Sequence, residues 1–201
     1  MKKQILIVHG GDTFDTYEEY LSFLKSFEID FERYRVGKMD WKRTLGGALG
    51  ADYEVILPDM PNKINAKYAE WKIWFEKFIP YLNQRIILIG HSLGGTFLAK
   101  YFSENIFPKS ISAIFLVAAC YGKGADYSLA DFALTKDLND LQKQSPKIFL
   151  YHSSDDQIVP FGDFAKYKKS LPDAIVRAFT DRGHFNQESF PELLDDIRQL
   201  P

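Results

Sequence analysis

Three polar sites in this chain have residue types suited to acyl-transfer chemistry. They are Ser92 in Gly90-His91-Ser92-Leu93-Gly94, an acid in Asp155-Asp156, and His184 in Gly183-His184-Phe185. A serine hydroxyl is a poor nucleophile near neutral pH, so it needs a base to take its proton and a carboxylate to orient that base. The G-x-S-x-G spacing serves this purpose on a sharp strand-to-helix turn, where glycines two before and two after the serine leave room for strained backbone. Both flanks supply that context. Arg85 to Ile89 is a short apolar, β-branched run of the kind buried on both faces of a sheet, and Leu93, Phe97, Leu98 and Tyr101 then recur at helical spacing. A tetrahedral intermediate also needs N–H donors for its oxyanion. The Leu93 N–H at the new helix's start is the first candidate, and Gly11 in His9-Gly10-Gly11-Asp12 is expected to give the second, with Asp12 as runner-up.

The elements that must position these groups are legible as alternating patterns. Apolar, β-branched runs at Gln4 to Val8, Tyr53 to Leu57, Arg85 to Ile89, Ser112 to Val117, Lys147 to Tyr151 and Ala174 to Phe179 predict six strands. Helical patterns lie between them at Tyr17 to Phe27, Ala66 to Leu82, Leu93 to Ser103, Asp131 to Lys143, Phe161 to Leu171 and Gln187 to Leu200. Such alternation implies an α/β architecture: a mostly parallel sheet with helices on both faces and a ligand site beyond the carboxyl ends of the strands. The acid pair follows the fifth strand, and His184 sits in a glycine-hinged loop after the sixth. Two stretches are less regular: a charged, glycine-containing excursion at 28–52 and a segment at 122–143 that is expected to form a small cap.

Length and composition narrow the function classes. With 201 residues, 46% hydrophobic and 15% aromatic, the chain is expected to be a single domain, 1–201, with a substantial core. A net charge of −2 and no basic run interleaved with aromatics argue against nucleic-acid binding. The first apolar run stops at Val8, too short for a signal sequence, and no segment approaches the ~20 apolar residues that cross a bilayer. One cysteine, Cys120, precludes an intrachain disulfide and fits a cytoplasmic location.

Taken together, Gly90-His91-Ser92-Leu93-Gly94-Gly95, Asp155-Asp156-Gln157-Ile158-Val159-Pro160 and Gly183-His184-Phe185 resemble the compact α/β-hydrolase family that includes retinoblastoma-binding protein nine and its bacterial relatives. The similarity spans nearly the whole chain. It implies a three-layer α/β-hydrolase fold with six largely parallel strands, no large lid, and a serine hydrolase acting on carboxylic esters. The D-x-x-V-P position of the motif falls on Asp156 and leaves Asp155 to support the turn. The excursion at 28–52 is longer than the simplest members need.

The expected protein is therefore a cofactor-free carboxylesterase for small or medium acyl esters, with a small-molecule substrate and no membrane partner. Asp12, Phe14, Tyr121, Phe161 and Phe185 follow strand ends and are candidates to line its substrate site. His9, His91 and His152 also end strands, where bonding to nearby backbone is the commoner fate. Four histidines without H-x-x-x-H or H-E-x-x-H pairing make a metal site unexpected. Cys120 is expected to be a buried thiol, and Trp71, Trp74, Phe75 and Phe78 to face the core. Two other outcomes fit the same motifs. One is a hydrolase-fold module that binds a partner protein, and the other is a thioesterase, amidase or acyltransferase using the same three residues.

Overall fold

A computed structural model describes residues 2–37, 39–122 and 128–201. All six expected strands form, as β1 (Lys3–Val8), β2 (Tyr53–Ile56), β3 (Arg85–His91), β4 (Ser110–Val117), β5 (Ile148–Ser153) and β6 (Ile175–Phe179). They make one parallel sheet in the order β2-β1-β3-β4-β5-β6. From β1 the chain steps outward to β2 and then returns past β1 to β3, so the strand order reverses between β1 and β3. In such sheets ligands bind beyond the carboxyl ends of the strands at this point of reversal.

Helices cover both faces. They are α1 (Tyr17–Ser26), α2 (Phe31–Val36), α3 (Trp41–Leu49), α4 (Tyr68–Phe78), α5 (Leu93–Glu104), α6 (Asn139–Gln144), α7 (Phe161–Ser170) and α8 (Pro191–Arg198). On one face Trp71 and Phe75 of α4, Phe97 and Tyr101 of α5, and Phe164 of α7 join the sheet in one apolar cluster. On the other, Trp41 and Leu45 of α3 meet Leu193 and Ile197 of α8 over the inward side chains of β1, β3 and β4. The excursion at 28–52 is thus a working layer of the fold, since α3 covers the second face. By contrast α1 buries none of its residues. Its Phe23 rests instead on Phe14 and Phe27, with ring centroids 5.1 and 5.3 Å apart. No helix among the described residues is long and apolar enough to cross a membrane.

Two expectations need correction. The helix expected over Asp131 to Lys143 is a 3-10 turn at Ala130–Phe132 followed, after an irregular stretch, by α6. Asp137 accepts the Asn139 N–H through Oδ1, a local bond that starts a helix in the middle of the expected one. Of the expected cap at 122–143, residues 123–127 lie outside the described residues. The rest is anchored, because Phe132, Leu138 and Leu141 are fully buried. Trp74 is also misassigned: it is 41% exposed, while Trp71 and Phe75 take the inward positions of α4.

Helix α5 is buried from Leu93 to Ser103, including its polar residues. Thr96 donates to the Cys120 carbonyl at 2.7 Å, and the Lys100 ammonium is held by Glu104 at 2.8 Å and the Ala133 carbonyl at 2.9 Å. Such depth requires backbone-to-backbone contact with the sheet. A Cβ on Gly94 would lie 2.1 Å from the Val8 carbonyl oxygen, and one on Gly90 would lie 2.5 Å from the Gly94 carbonyl oxygen. Gly94→Ala is therefore expected to destabilise the fold by about 3 kcal/mol or more. Gly47, inside α3, has no atom within 4 Å of a Cβ position, so Gly47→Ala should add about 0.5–1 kcal/mol. Urea unfolding of both variants measures the contrast.

Candidate active site

Ser92 connects β3 to α5 with φ 55° and ψ −126°, a left-handed backbone that a non-glycine residue adopts at a cost of about 1–3 kcal/mol. Neighbouring bonds hold it there. Its N–H donates to the Val117 carbonyl at 2.8 Å, and its own carbonyl accepts from Gly95 and Thr96 at 2.9 and 3.2 Å. The loop after β1 lies directly against the side chain: a Cβ on Gly10 would sit 3.0 Å from Ser92 Cβ and 3.4 Å from Oγ. The N–H groups of Leu93 and Gly11 make no hydrogen bond among the described residues, whereas the Asp12 N–H is taken by the Lys63 carbonyl at 2.8 Å.

After β5 the two adjacent acids are used differently. Asp156 is buried, and its Oδ1 accepts the Ile158 and Val159 N–H groups at 2.8 and 3.0 Å while Oδ2 accepts a hydrogen bond from His184 Nδ1–H at 2.8 Å. Burial opposes ionisation of this carboxyl, but the His184 bond and charge and the two backbone donors outweigh it, so its pKa is lowered. With Nδ1 committed to Asp156, the other ring nitrogen is the one left for a proton in transit. Asp155 instead serves the backbone of the histidine loop. Its Oδ1 accepts from the Gly183 N–H at 2.9 Å and from the Ser153 hydroxyl, whose Oγ accepts the Arg182 N–H at 3.1 Å. These bonds, led by that from Ser153, lower the Asp155 pKa.

The histidine itself is held from below. His91 Nε2 donates to the His184 carbonyl at 2.8 Å, with the two rings 4.9 Å apart, and Trp41 Nε1 donates to the Phe185 carbonyl at 2.8 Å. Gly183 and Phe185 both have φ of 51°, so the loop turns sharply on each side of His184. That turn sends Phe185 inward. It is fully buried, with its ring 5.7 Å from Phe179 and 5.1 Å from Phe190, and belongs to the core, not to a substrate surface.

The other expected lining residues divide. Phe161 at the start of α7 is 39% exposed, and its ring lies 5.7 Å from that of His152, whose Nε2 is 4.0 Å from Asp156 Oδ2. Phe14 is half-buried against Tyr20 and Phe23 beside the β1 loop. Tyr121 is half-buried and engaged, with its hydroxyl 2.7 Å from Ser170 Oγ and its ring against Tyr167. Asp12 is exposed at the mouth of the β1 loop.

Each of the other three histidines bonds to backbone. His9 Nε2 accepts the Met60 N–H at 2.8 Å, so its Nδ1 donates to the Gly10 carbonyl at 2.6 Å; His152 donates to Val159 and His91 to His184. Burial pushes the Cys120 thiol up to about 12, with Asp163 adding to the effect, so it stays protonated. Among the described residues no group of three or more His, Cys, Asp or Glu side chains is placed to hold a metal ion. The supporting roles of His91 and Trp41 were not anticipated. His91 stood inside the motif as a visible signal, but Trp41 lies so far from His184 in sequence that nothing local marks it.

Comparison with known proteins places this geometry in context. A family profile described as serine hydrolase matches residues 35–198. The serine hydrolase RBBP9 of Rattus norvegicus is 25% identical over 151 residues, covering 74% of this chain and 78% of that protein. The YdeN protein of Bacillus subtilis is 27% identical over 197 residues, covering 96% and 92%. Its crystal structure superposes with a TM-score of 0.71 at 20% identity, over 98% of this chain and 97% of that one. A carboxylesterase from the ammonia-oxidising thaumarchaeon Nitrososphaera gargenis shares the fold, with a TM-score of 0.60 at 13% identity over 98% and 89% of the two chains.

Burial lowers the pKa of both His9 and His152 from 6.5, the leading cause in each. An unfolded chain then binds protons below pH 6.5 that the folded chain does not, so their stabilising effect is complete above pH 6.5 and is lost as pH falls through the lowered folded values. The melting temperature should accordingly drop on acidification from pH 7 to pH 5. His152→Gln, which keeps a donor for Val159 but cannot titrate, should drop less over the same pH series.

Proposed function

The chain belongs to the serine hydrolase family, and on that premise we propose that it is a carboxylesterase that cleaves small or medium acyl esters through Ser92, His184 and Asp156. In this reading Ser92 Oγ attacks the acyl carbonyl as His184 Nε2 takes its proton, and His184 then returns that proton to the departing alcohol. Water enters next. It gives a proton to His184, attacks the acyl-enzyme, and regenerates the serine. Asp156 keeps the Nδ1 proton in place and stabilises the imidazolium that forms at each stage. Its three accepted bonds leave the carboxylate little freedom to turn away.

The negative oxygen of the tetrahedral intermediates would sit between the N–H groups of Leu93 and Gly11. Asp12 is disfavoured as the second donor because its N–H is already used by Lys63. Phe161 and Phe14 are the aromatic residues best placed to meet the acyl or alcohol group. The observation that carries the proposal is the 2.8 Å bond between His184 Nδ1 and Asp156, in a chain whose Ser92 occupies a left-handed strand-to-helix turn.

Hydrolysis of p-nitrophenyl acetate and butyrate tests it directly. Ser92→Ala should lose at least about 10³-fold in kcat and should no longer react with a fluorophosphonate probe; equal rates for variant and wild type would sink the assignment. Asp156→Asn should lose about 10³–10⁴-fold through the wrong imidazole tautomer. Asp155→Asn, acting only through the loop backbone, should lose far less, and the opposite ranking would transfer the acid's role to Asp155.

A further inference from the structure

Asp12 is an acid beside the reacting centre that the fold does not use. Its peptide is pinned on both sides, with its N–H on the Lys63 carbonyl and its carbonyl accepting from Ala66, each at 2.8 Å. Two residues earlier, Gly10 lies against Ser92. The backbone is therefore fixed close to the nucleophile, yet the Asp12 carboxylate makes no hydrogen bond or ion pair among the described residues. Asp156 and Asp155 are both committed to the His184 loop, so they differ from it in kind.

Among the described residues no Lys or Arg pairs with this carboxylate: the Lys67 ammonium lies 3.4 Å from the Phe14 carbonyl, and Lys42 pairs with Asp40 at 2.9 Å. The side chain reaches solvent, but surrounding protein strips enough water from it to raise its pKa above 3.8, against the attraction of His184. A carboxylate held on fixed backbone beside the nucleophile, with no counter-charge among the described residues, attracts an incoming cation.

We propose that Asp12 is a cation-recognising subsite, and that the preferred substrates are esters bearing an ammonium group close to the scissile carbonyl. This inference rests on the esterase reading above and adds to it a substrate class and a specificity-determining residue. The carboxylate takes no part in bond making; it binds the charged substituent while Ser92 and His184 act on the ester.

Isosteric ester pairs separate charge from shape. Acetylcholine and 3,3-dimethylbutyl acetate differ only in charge on the alcohol side, and methyl 4-(trimethylammonio)butanoate and methyl 5,5-dimethylhexanoate do so on the acyl side. Hydrolysis of all four is followed by proton release at constant pH. In wild type, kcat/KM should favour the cationic member of at least one pair by about tenfold, and added salt should weaken the preference. Asp12→Asn keeps both backbone bonds and the side-chain volume, and should bring that ratio close to one. As a second measurement, tetraethylammonium chloride should inhibit wild-type hydrolysis of the neutral member more than the same concentration of sodium chloride does. Neutral esters cleaved without charge preference, a ratio unchanged in Asp12→Asn, or an equal loss on both members of the pair overturns the subsite alone. The last result would make Asp12 a partner of His184 instead. If none of the four esters is cleaved, the esterase reading fails and the subsite with it.

Discussion

Backbone contact between α5 and the sheet is the constraint on which the rest of this structure depends. The first turn of α5 comes so near β1 and β3 that there is no room for a side chain at Gly90 or Gly94. A chain leaving β3 can enter a helix at that distance only by turning within one residue, and Ser92 is that residue, with its positive φ. The strain is offset by three bonds, one to Val117 on β4 and two from Gly95 and Thr96 in the helix. One packing requirement thus sets the backbone of Ser92, brings it beside Gly10, and leaves the N–H of Leu93, at the helix's positive end, without a hydrogen bond among the described residues.

A second constraint acts on the other side of the site. His184 comes from a loop after the last strand, and loops are the segments least able to hold an imidazole in one orientation. Here its ring, its own carbonyl and the peptides around it are all tied, by Asp156, His91, Trp41, and Asp155 with Ser153. The adjacent acids divide the work between ring and backbone. Trp41 belongs to α3, within the excursion before β2, so this apparently surplus stretch also braces the histidine loop.

Much of this was legible in the chain. The central strands, buried on both faces, read as nearly continuous apolar runs, and all six strands appeared within a few residues of their expected ends; the edge strands β2 and β6 are only partly buried and carry Glu54 and Arg177. The turn at Ser92 was readable because glycine spacing reports a steric demand directly. Other features depend on neighbours distant in sequence. Trp71, Trp74, Phe75 and Phe78 share a helical apolar pattern, yet the face that α4 packs on the core holds Trp71 and Phe75 and leaves Trp74 exposed. Apolar spacing from Leu129 to Leu141 resembled a helix, but those side chains anchor an irregular strap, and α6 starts only at Asn139, whose N–H donates to Asp137 Oδ1.

By itself, the sequence determined the alternation of strands and helices, the strained serine turn, and the presence of acids and a histidine in the loops after late strands. Each of these is local: it follows from steric demand, from periodicity, or from residues within one loop. Tertiary structure decided which acid meets the imidazole, that Phe185 points into the core, and that the Asp12 carboxylate has no partner among the described residues. Those outcomes are set by the directions in which β5, β6 and the β1 loop deliver their last residues, and such directions exist only once the strands have paired and the helices have packed on the sheet.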